Sequence, residues 1–280
     1  MKNKIGIIGV GFVGGALEHY FKNRKIKPLI YDKYKNLGSP AEVNKADVIF
    51  ICTPTPFVKG KGFELSAVEA AIKILKSPKV VIIKSSVVPG TTEALQKKYP
   101  KHKIMFNPEF LREVSANYDM ANPDRQVLGV TKQSKPYAKA VLAMLPNAPY
   151  EKIMASREAE AVKYMANSFL ALKVIFANEF SEICKSLGIN YSQVKEAVVK
   201  DVRIGDSHFD VSHGGYRGYG GSCFPKDVNA IIQLAENRKI ETTLLKTMRG
   251  INRKLLKASG INEDYFLTNA HKKTGSNKKK

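Results

Sequence analysis

The chain has 280 residues, of which 44% are hydrophobic and 25% are charged, a balance typical of a water-soluble protein with a substantial core. This length predicts about two domains, and no run of about 18 apolar residues predicts a transmembrane helix. The formal net charge of +21 raises the question of nucleic-acid binding. However, the lysines are spread along the whole chain, and no basic helix carries interleaved aromatic residues. We therefore predict a solvated basic surface, with no nucleic-acid partner and no membrane partner.

The three cysteines, Cys52, Cys184 and Cys223, show no C-x-x-C spacing. This argues against a zinc site and against a disulfide framework, and it is typical of a reducing compartment. We therefore predict a cytoplasmic protein without a metal centre. Cys52 and Cys184 lie in apolar stretches and are interpreted as small buried side chains, whereas Cys223 has polar, glycine-rich neighbours.

The first motif is G-x-G-x-x-G, formed by Gly9, Gly11 and Gly14 between an apolar strand at residues 4–9 and a helix at residues 15–22. In a dinucleotide-binding unit the first glycine allows a tight turn, the second lets a pyrophosphate approach the backbone, and the third lets helix and strand pack closely. The free N–H groups at the start of the helix face the phosphates. The alternative is a glycine turn in some other βαβ protein.

A second strand at residues 28–31 ends at Asp32, about 20 residues beyond the glycines, where an acid binds the ribose 2′-hydroxyl of a dinucleotide. A carboxylate repels the 2′-phosphate of NADP, so the sequence predicts NAD as the cofactor. Lys33 follows directly and weakens this discrimination.

Further elements follow this unit along the chain. Strands are predicted at residues 47–52, 80–83, 103–106 and 126–130, and helices at residues 65–75 and 136–145 and after a capping box at Ser39–Glu42. Thr53 and Pro54 follow one of these strands, and Ser85 and Ser86 follow the next, at the sheet edge where open α/β sheets bind ligands. Ordinary turn chemistry is the alternative for each hydroxyl.

Glu109 and Glu113 follow the strand at residues 103–106 and are four residues apart. One helical turn would align the two side chains, and a pair of carboxylates at a strand end is suited to acid–base chemistry. A solvated pair of surface acids is the alternative.

From Ser156 the pattern changes to one helix of about 30 residues, from Arg157 to about Leu187, which is long for a globular protein. Apolar residues recur along it at three- and four-residue spacing: Ala161, Tyr164, Met165, Phe169, Leu172, Phe176 and Phe180. This pattern predicts either a dimer interface or the central helix of a helical domain. Lys163 and Asn167 share a face of this helix and are suited to hold an oxyanion; surface polarity is the alternative.

The stretch Gly214–Asp227, GGYRGYGGSCFPKD, places Cys223 between glycines and Pro225. Proline suits the first turn of a helix, and a helix N-terminus favours a thiolate. Asp227 lies four residues further on, so the stretch is suited to covalent catalysis at a carbonyl carbon. A glycine-rich turn with a buried cysteine is the alternative.

The remaining pattern sets the predicted domain limits. Further helices are predicted at residues 191–200, 227–237 and 241–258. We predict a first α/β domain at residues 1–155, a helical domain at residues 156–259, and a disordered basic tail at residues 260–280.

Six segments occur together in this order: residues 9–14, 53–54, 84–92, 107–113, 159–167 and 220–227. Together they resemble the UDP-glucose/GDP-mannose dehydrogenase family, and NPEFLRE and GYGGSCFPKD are the most specific strings. The resemblance extends from about Lys4 to Ala258. It implies an N-terminal Rossmann-type parallel sheet, an all-helical central domain, and NAD as cofactor. It also implies that the primary alcohol of a nucleotide sugar is oxidised to the acid by two NAD in succession. The substrate that the resemblance favours is UDP-glucose.

The resemblance also implies roles for individual side chains. Cys223 matches the nucleophile that forms a thiohemiacetal and then a thioester. Lys163 and Asn167 match residues that hold the developing oxyanion, and Asp227 matches the residue that serves as base together with a water.

Other positions have supporting roles by the same resemblance. Glu113 matches a carboxylate used in thioester hydrolysis, and Ser86 matches a hydroxyl that orders the attacking water. Glu109 resembles a structural or cofactor-side carboxylate. Arg203 matches an arginine that reaches the substrate from the partner chain of a homodimer formed through the long helix, and Lys226 belongs to the same substrate loop.

Two sets of binding residues follow from these matches. The implied cofactor-binding residues are Gly9, Gly11, Phe12, Val13, Gly14, Asp32, Lys33, Thr53, Pro54, Ser85, Ser86, Glu113 and Lys226. The implied substrate residues are Glu109, Phe110, Leu111, Arg112, Lys163, Asn167, Arg203, Tyr219, Gly220, Gly221 and Cys223.

Members of this family usually carry a third, C-terminal Rossmann-like domain that completes the nucleotide-binding cleft, whereas the present sequence ends after the central domain. We therefore expect weak binding of the nucleotide unless a partner supplies that domain. Two alternatives stay open. One is a β-hydroxyacid-type NAD dehydrogenase, which would not need Cys223 and would yield one NADH per turnover. The other is a non-catalytic NAD-binding module that forms dimers through the long helix.

Overall fold

A computed structural model describes residues 4–58, 60 and 62–269 of the chain. The strands are β1 (Ile5–Ile8), β2 (Leu29–Asp32), β3 (Leu37–Gly38), β4 (Val48–Ile51), β5 (Phe57–Val58), β6 (Gly62–Phe63), β7 (Val80–Ile83), β8 (Lys103–Phe106), β9 (Arg125–Val130), β10 (Tyr150–Ala155), β11 (Ser212–His213) and β12 (Tyr216–Arg217). The helices are α1 (Phe12–Asn23), α2 (Pro40–Val43), α3 (Ser66–Lys73), α4 (Thr91–Lys98), α5 (Ala116–Ala121), α6 (Ala138–Leu142), α7 (Ser156–Ser186), α8 (Tyr191–Val198), α9 (Phe224–Asn237), α10 (Thr243–Ala258) and α11 (Asp264–Asn269), with a 3₁₀ turn at Lys135–Tyr137.

The main sheet has eight strands in the order β10-β9-β8-β7-β4-β1-β2-β3. Pairing is parallel from β2 through β1, β4 and β7 to β8, and between β9 and β10. β3 is antiparallel to β2, and β9 is antiparallel to β8. Because the chain passes from β1 to β2 on one side and then to β4 on the other, the carboxyl ends of β1 and β4 flank the crevice where such sheets bind ligands. The predicted Rossmann-type sheet is confirmed.

The central strands are apolar on both faces, as expected for parallel strands covered by helices on both sides. Ile7 of β1 belongs to a core cluster with Leu17 and Phe21 of α1, whereas Ile8 belongs to the cluster on the opposite face with Ile72 of α3. This is why KIGII, DVIFIC and KVVII are almost continuously apolar in the sequence.

The six strands predicted from apolar runs are confirmed to within one residue at each end. β10, α4 and α5 were missed. β10 is a mostly exposed strand at the sheet edge, so its sequence lacks an apolar pattern. α4 follows Gly90 without a side-chain cap of its own. Its N-terminus is instead bonded by Glu160 from α7, 70 residues away in sequence, which no local pattern reveals.

Two predicted helices differ from the structure. The helix predicted at residues 136–145 is a 3₁₀ turn followed by α6, and the helix predicted to start at Asp227 starts at Phe224. The prediction of a disordered segment from residue 260 is wrong for Asp264–Asn269, which form α11. The rest of that predicted tail, from residue 270, lies outside the described residues.

The chain divides into two compact units, and the division falls within α7, between Lys163 and Tyr164. The first unit contains the chain up to Thr55 and Phe63–Lys163, and the second contains Pro56–Gly62 and the described residues from Tyr164 onward. The second unit has its own apolar core, formed by residues of α7, α9 and α10 such as Ile175, Ile232 and Met248. None of the helices in the described residues has the length and apolar character needed to span a membrane.

His102 lies in the first unit, in the turn before β8, and is fully buried (0% exposed). Its Nδ1 accepts a hydrogen bond from the backbone N–H of Lys79 at 3.3 Å. Burial, reinforced by the charges of Lys101 and Lys79, lowers the pKa of His102 from 6.5 to about 4. The folded chain therefore holds this imidazole neutral in a pH range where the unfolded chain protonates it.

We expect His102 to make the free energy of unfolding fall as the pH is lowered from 6.5 to about 4, because only the unfolded chain binds the proton in that window. The slope from this residue is up to about 1.4 kcal/mol per pH unit. His102→Asn keeps an acceptor for the Lys79 N–H but removes the titration. Denaturant unfolding at pH 4.5 and pH 7 should show a smaller loss of stability in the variant than in the unmutated chain. Equal losses in the two proteins would contradict this assignment.

Candidate active site

The predicted dinucleotide site is the glycine turn between β1 and α1. A Cβ atom at Gly14 would lie 1.9 Å from the carbonyl oxygen of Gly9, so only glycine lets α1 approach the end of β1. A Cβ atom at Gly11 would meet nothing within 4 Å, which leaves space above the turn. Among the described residues no side chain caps the N-terminus of α1, which begins at Phe12. N–H groups beside open space fit the pyrophosphate of a dinucleotide.

Asp32 ends β2 and is bonded to the same turn. Its Oδ2 accepts the backbone N–H of Val10 at 2.8 Å, and its Oδ1 accepts the N–H groups of Tyr34 and Lys35, each at 3.0 Å. The Lys35 ammonium donates to the carbonyl oxygen of Val10 at 2.7 Å. The carboxylate is therefore fixed at the strand end, where it would meet a ribose, while Lys33 is exposed.

Hydroxyl groups at the ends of β4 and β7 are bonded to each other's loops. Ser85 Oγ donates to the carbonyl oxygen of Thr53 at 2.6 Å, and Thr55 Oγ1 donates to that of Ser86 at 2.7 Å. Thr53 Oγ1 is itself buried and has no hydrogen-bond partner in the described part of the chain. A buried hydroxyl of this kind at the sheet edge fits a polar group of a cofactor. Pro54, beside it, is exposed.

Lys84 and Asn107 are two buried polar residues that the sequence analysis did not select. Lys84 Nζ donates to Asn107 Oδ1 at 2.5 Å, and Asn107 Nδ2 donates to the carbonyl oxygen of Val127 at 2.8 Å. Burial lowers the pKa of Lys84 to about 8. The sequence contained one signal that Lys84 is buried: it directly continues the apolar run KVVII. A lysine at the end of a buried strand is rarely left without a partner.

Glu109 and Lys163 form a buried ion pair between the segment after β8 and α7. Lys163 Nζ lies 2.5 Å from Glu109 Oε1 and 2.9 Å from its carbonyl oxygen, and the two side chains are only 4% and 8% exposed. The backbone N–H of Leu111 donates to Glu109 Oε2 at 2.9 Å. The structure thus holds both charges in fixed positions.

Glu109 and Glu113 are not aligned by a helical turn, because residues 107–112 have no helical structure and residues 113–115 form a turn. Pro108 interrupts the backbone hydrogen-bond pattern there. Glu109 is buried, whereas Glu113 is exposed. Glu113 instead lines a groove of about 820 Å³, to which Phe12 also contributes.

The neighbouring predicted substrate residues are anchored individually. The guanidinium of Arg125 lies 4.0 Å from the centre of the Phe110 ring, and Leu111 packs against the apolar core. Arg112 is exposed and pairs with Asp119 at 2.6 Å, which lowers the pKa of that carboxyl to about 2.

In the second unit, Asp227 is fully buried in the first turn of α9 and is held from two sides. Asn167 Nδ2 donates to its Oδ2 at 2.6 Å, and Lys226 Nζ lies 2.5 Å from its Oδ1. Asn167, from α7, is itself buried. The structure thus brings Asn167 of α7 into contact with Asp227 of α9, 60 residues away in the sequence. Lys226, the third member of the group, directly precedes Asp227.

Cys223 is the residue that immediately precedes α9, and its carbonyl oxygen accepts the N–H of Asp227 at 3.0 Å. Its thiol is half-buried and lies 3.6 Å from Ser222 Oγ. The other two cysteines differ: burial raises the pKa of Cys52 to about 12, and Cys184 is buried in α7. Only Cys223 lies at a helix N-terminus, where a thiolate is favoured.

The remaining predicted substrate residues lie in loops of the second unit. Tyr219 is buried, whereas Gly220 and Gly221 are partly exposed. Arg203 is exposed and pairs with Asp201 two residues away. No group of three or more His, Cys, Asp or Glu side chains that would hold a metal ion is found within the described ranges.

Comparison with known protein families decides the affiliation of the chain. Residues 32–145 match the NAD binding domain of the UDP-glucose/GDP-mannose dehydrogenase family, and residues 157–254 match the central domain of the same family. The chain belongs to this family. The predicted family resemblance is thereby confirmed. NAD is the cofactor, because the first match is to the NAD binding domain of the family.

Individual relatives agree with this affiliation. The chain is 35% identical to a UDP-glucose 6-dehydrogenase of Rickettsia prowazekii, over 77% of this chain and 51% of the relative. It is also 35% identical to the UDP-glucose 6-dehydrogenase TuaD of Bacillus subtilis, over 77% of this chain and 48% of the relative. This dehydrogenase-family chain therefore spans about half the length of the curated relatives it matches.

Solved structures show the same fold. A UDP-glucose dehydrogenase of Pyrobaculum islandicum matches with a TM-score of 0.81 and 31% identity, covering 92% of this chain and 69% of that chain. A 3-hydroxyisobutyrate dehydrogenase of Mycobacterium tuberculosis matches with a TM-score of 0.71 over 97% of this chain and 99% of that chain. At 14% identity the second match shows the shared fold alone.

We expect Asp32 to make the chain bind NAD at least about tenfold more tightly than NADP, because a 2′-phosphate would meet its carboxylate. Asp32→Ala should narrow this ratio. It should also weaken NAD binding, since the Val10 N–H loses its acceptor. Lys33→Ala is the matched control and should leave the preference intact or increase it. Equal dissociation constants for the two cofactors in the unmutated chain, measured by calorimetry, would contradict the role of Asp32.

Proposed function

We propose that this chain catalyses the NAD-dependent, four-electron oxidation of the C6 hydroxymethyl group of a nucleotide sugar, UDP-glucose to UDP-glucuronate. The observation that carries the proposal is the arrangement around α9. Cys223 directly precedes the helix, and Asp227 in its first turn is buried and held by Asn167 and Lys226. An ordinary glycine-rich turn does not require a buried carboxylate with two polar partners. Family membership supports the proposal, because the relatives named above are UDP-glucose 6-dehydrogenases.

In the first oxidation, the C6 hydroxyl loses its proton to a water held by Asp227, and C6 loses a hydride. When bound at the glycine turn, NAD supplies the hydride acceptor for each of the two oxidations. Lys163 and Asn167 stabilise negative charge on the oxygen as it develops. Glu109 limits the motion of Lys163, and Asp227 limits that of Asn167, so these donors need little reorganisation during the reaction.

The second stage uses Cys223. Its thiolate adds to the aldehyde carbon, so that an S–C bond forms and the carbonyl oxygen becomes the oxygen of a thiohemiacetal. That oxygen is anionic after the addition, so loss of a second hydride from C6 re-forms the C=O double bond and gives a thioester. Water then adds to the thioester carbon and the C–S bond breaks, which releases the acid and restores the thiolate. Glu113 takes a proton from this water, and Ser86 orients it.

This reaction predicts two NADH for each UDP-glucuronate, because the conversion of an alcohol to an acid removes four electrons and each NAD accepts two. Cys223→Ser should reduce acid formation by at least about 10³-fold, since it removes the thioester route. NADH absorbance together with product analysis by mass spectrometry checks both statements. UDP-galactose, UDP-N-acetylglucosamine and GDP-mannose should be tested in parallel to define the sugar.

Cys184→Ser is the matched control, because Cys184 is buried in α7 and has no place in the reaction. One NADH per product, with full activity in Cys223→Ser, would indicate the β-hydroxyacid-type alternative. Absence of turnover with every sugar, in a folded chain that binds NAD, would indicate a non-catalytic binding module.

We further propose that the chain acts as a homodimer in which α7 pairs with α7 of a second copy. Five large apolar side chains of α7, together with Leu187 directly after its end, fall within about 60° of one another around the helix axis and are exposed: Met165, Phe169, Phe176, Phe180, Ile183 and Leu187. Met165 is 81% and Phe169 60% exposed. The opposite side of α7 packs on the core of the second unit through residues such as Ala171 and Ile175. A helix that is apolar on both sides needs a partner on each, and the outer face extends for about 33 Å.

Replacement of Phe169 and Phe176 by glutamate should convert the dimer into a monomer, because the paired helices would bury four carboxylates. Light scattering at micromolar concentration measures the mass directly. Tyr150→Glu is the control, since Tyr150 is an exposed aromatic residue outside α7. A monomeric unmutated chain at that concentration would contradict the proposed pairing.

We also propose that Arg203 of one chain contacts the substrate bound to the other chain of the dimer. Arg203 lies in an exposed loop, next to the 94% exposed Val202. Mixed dimers of Arg203→Ala and Cys223→Ser chains distinguish the two arrangements. If Arg203 acts on the partner's site, one intact site is restored in each mixed dimer and activity returns. If it acts within its own chain, the mixture stays inactive.

A further inference from the structure

The segment Gly218–Ser222, which leads from β12 to Cys223, has no regular secondary structure. Its second residue, Tyr219, has both backbone polar groups bonded to one side chain. Tyr219 N–H donates to Asn252 Oδ1 at 2.7 Å, and Asn252 Nδ2 donates to the Tyr219 carbonyl oxygen at 3.0 Å. The side chain of Asn252 is completely buried (0% exposed). The amide therefore pairs with the loop as a neighbouring β-strand would.

The loop packs so closely on its neighbours that side chains larger than glycine would clash at positions 218 and 220. Gly218 has a φ of +85°, and a Cβ atom there would lie 2.5 Å from Asn252 Oδ1. A Cβ atom at Gly220 would overlap the Tyr216 hydroxyl and the Phe266 ring. These glycines of the motif therefore let the backbone come close to α10 and α11, as well as to any ligand.

α10 also holds the other side of Cys223. One turn before Asn252, Arg249 donates to Asn229 Oδ1 at 3.0 Å, and Asn229 Nδ2 donates to the carbonyl oxygen of Pro225 at 2.7 Å. The loop before the cysteine and the helix after it are thus both attached to α10 through polar contacts, of which those to the loop are buried.

We propose that Asn252 is a positioning residue for Cys223: its amide fixes the Gly218–Ser222 loop and thereby sets where the thiol lies at the start of α9. The effect on catalysis rests on the proposed function, but the effect on the thiol does not. If the clamp is lost, the buried N–H and C=O of Tyr219 have no replacement partner, and the loop must rearrange to reach water. The thiol then leaves the position in which the N–H groups of the helix favour its thiolate.

The test measures thiol chemistry directly. Each cysteine is followed by mass spectrometry during alkylation with iodoacetamide at pH 7 and pH 9.5. In the unmutated chain Cys223 should react fastest of the three cysteines. Asn252→Leu, which is close in volume but cannot pair with Tyr219, should slow alkylation of Cys223 about tenfold at pH 7, equivalent to one pKa unit. At pH 9.5, where most of the thiol is ionised in either case, the difference should shrink to about twofold. The charged groups in the same helical turn, Lys226 and Asp227, are unchanged in every variant.

Met248→Ala is the matched control, because Met248 lies on the same helix and in the same core but makes no bond to the loop. Its loss should destabilise the protein while leaving alkylation at Cys223 within about twofold. A merely structural role for Asn252 would make the two variants behave alike, with faster alkylation at both pH values as the chain opens. An unchanged rate in Asn252→Leu at pH 7 would equally overturn the proposal.

A second measurement needs no variant, and so remains decisive if Asn252→Leu does not fold. The N–H of Tyr219 should exchange with deuterium much more slowly than that of Gly215 at the exposed tip of the β11–β12 hairpin. Equal exchange rates would show that the clamp is absent in solution. Failure of the proposed oxidation would leave both measurements interpretable, whereas an active chain with an unclamped loop would refute only the role of Asn252.

Discussion

The burial of Lys163 against Glu109 is the interaction on which the first unit depends most. Two charges removed from water are tolerated only when they are paired and hydrogen-bonded, and here both partners are almost fully enclosed. Three residues earlier on α7, Glu160 accepts the N–H groups of Gly90 and Thr92 and the hydroxyl of Thr92. The first turns of α7 are therefore attached at two points to loops that follow β7 and β8. This attachment holds two parts of the chain in place: the start of α4, and the segment Asn107–Arg112, which has no regular structure of its own.

Burial also separates residues of the same type into different chemical roles. Desolvation raises the pKa of Cys52 to about 12, so this thiol is neutral at neutral pH, and it lowers the pKa of Lys84 to about 8. Cys223 lies instead at a helix N-terminus and is half-buried. Lys163 is buried like Lys84, but its side-chain partner is the Glu109 carboxylate rather than an amide oxygen. Environment, rather than residue type, thus determines which thiol and which ammonium are suited to chemistry.

α7 contributes residues to both compact units of the chain. Its first turns carry Lys163, its middle carries Asn167, and its length presents an apolar face outward while the opposite face forms the core of the second unit. A helix of 31 residues is not stabilised by intrinsic propensity alone. The absence of Pro and Gly lets it continue, and packing on its inner face stabilises it.

Sequence alone determined the features that depend on local order. The six apolar strands, the glycine turn, Asp32 and the long helix were all predictable, because strand and helix periodicity and the steric needs of a tight turn are written in neighbouring residues. The strings NPEFLRE and GYGGSCFPKD were likewise sufficient to indicate the family.

Only the tertiary structure decided the contacts between residues far apart in the chain. The sequence analysis treated Glu109 and Glu113 as one aligned pair, whereas the fold buries the first against Lys163 and exposes the second. It did not select Lys84 or Asn252, because the group that each side chain bonds, Asn107 or the Tyr219 backbone, lies 23 or 33 residues away in the sequence. α4 was missed for the same reason, since the side chain that bonds its N-terminus comes from Glu160. Hydrogen-bond satisfaction of buried polar groups is a property of the whole fold, and short-range pattern does not contain it.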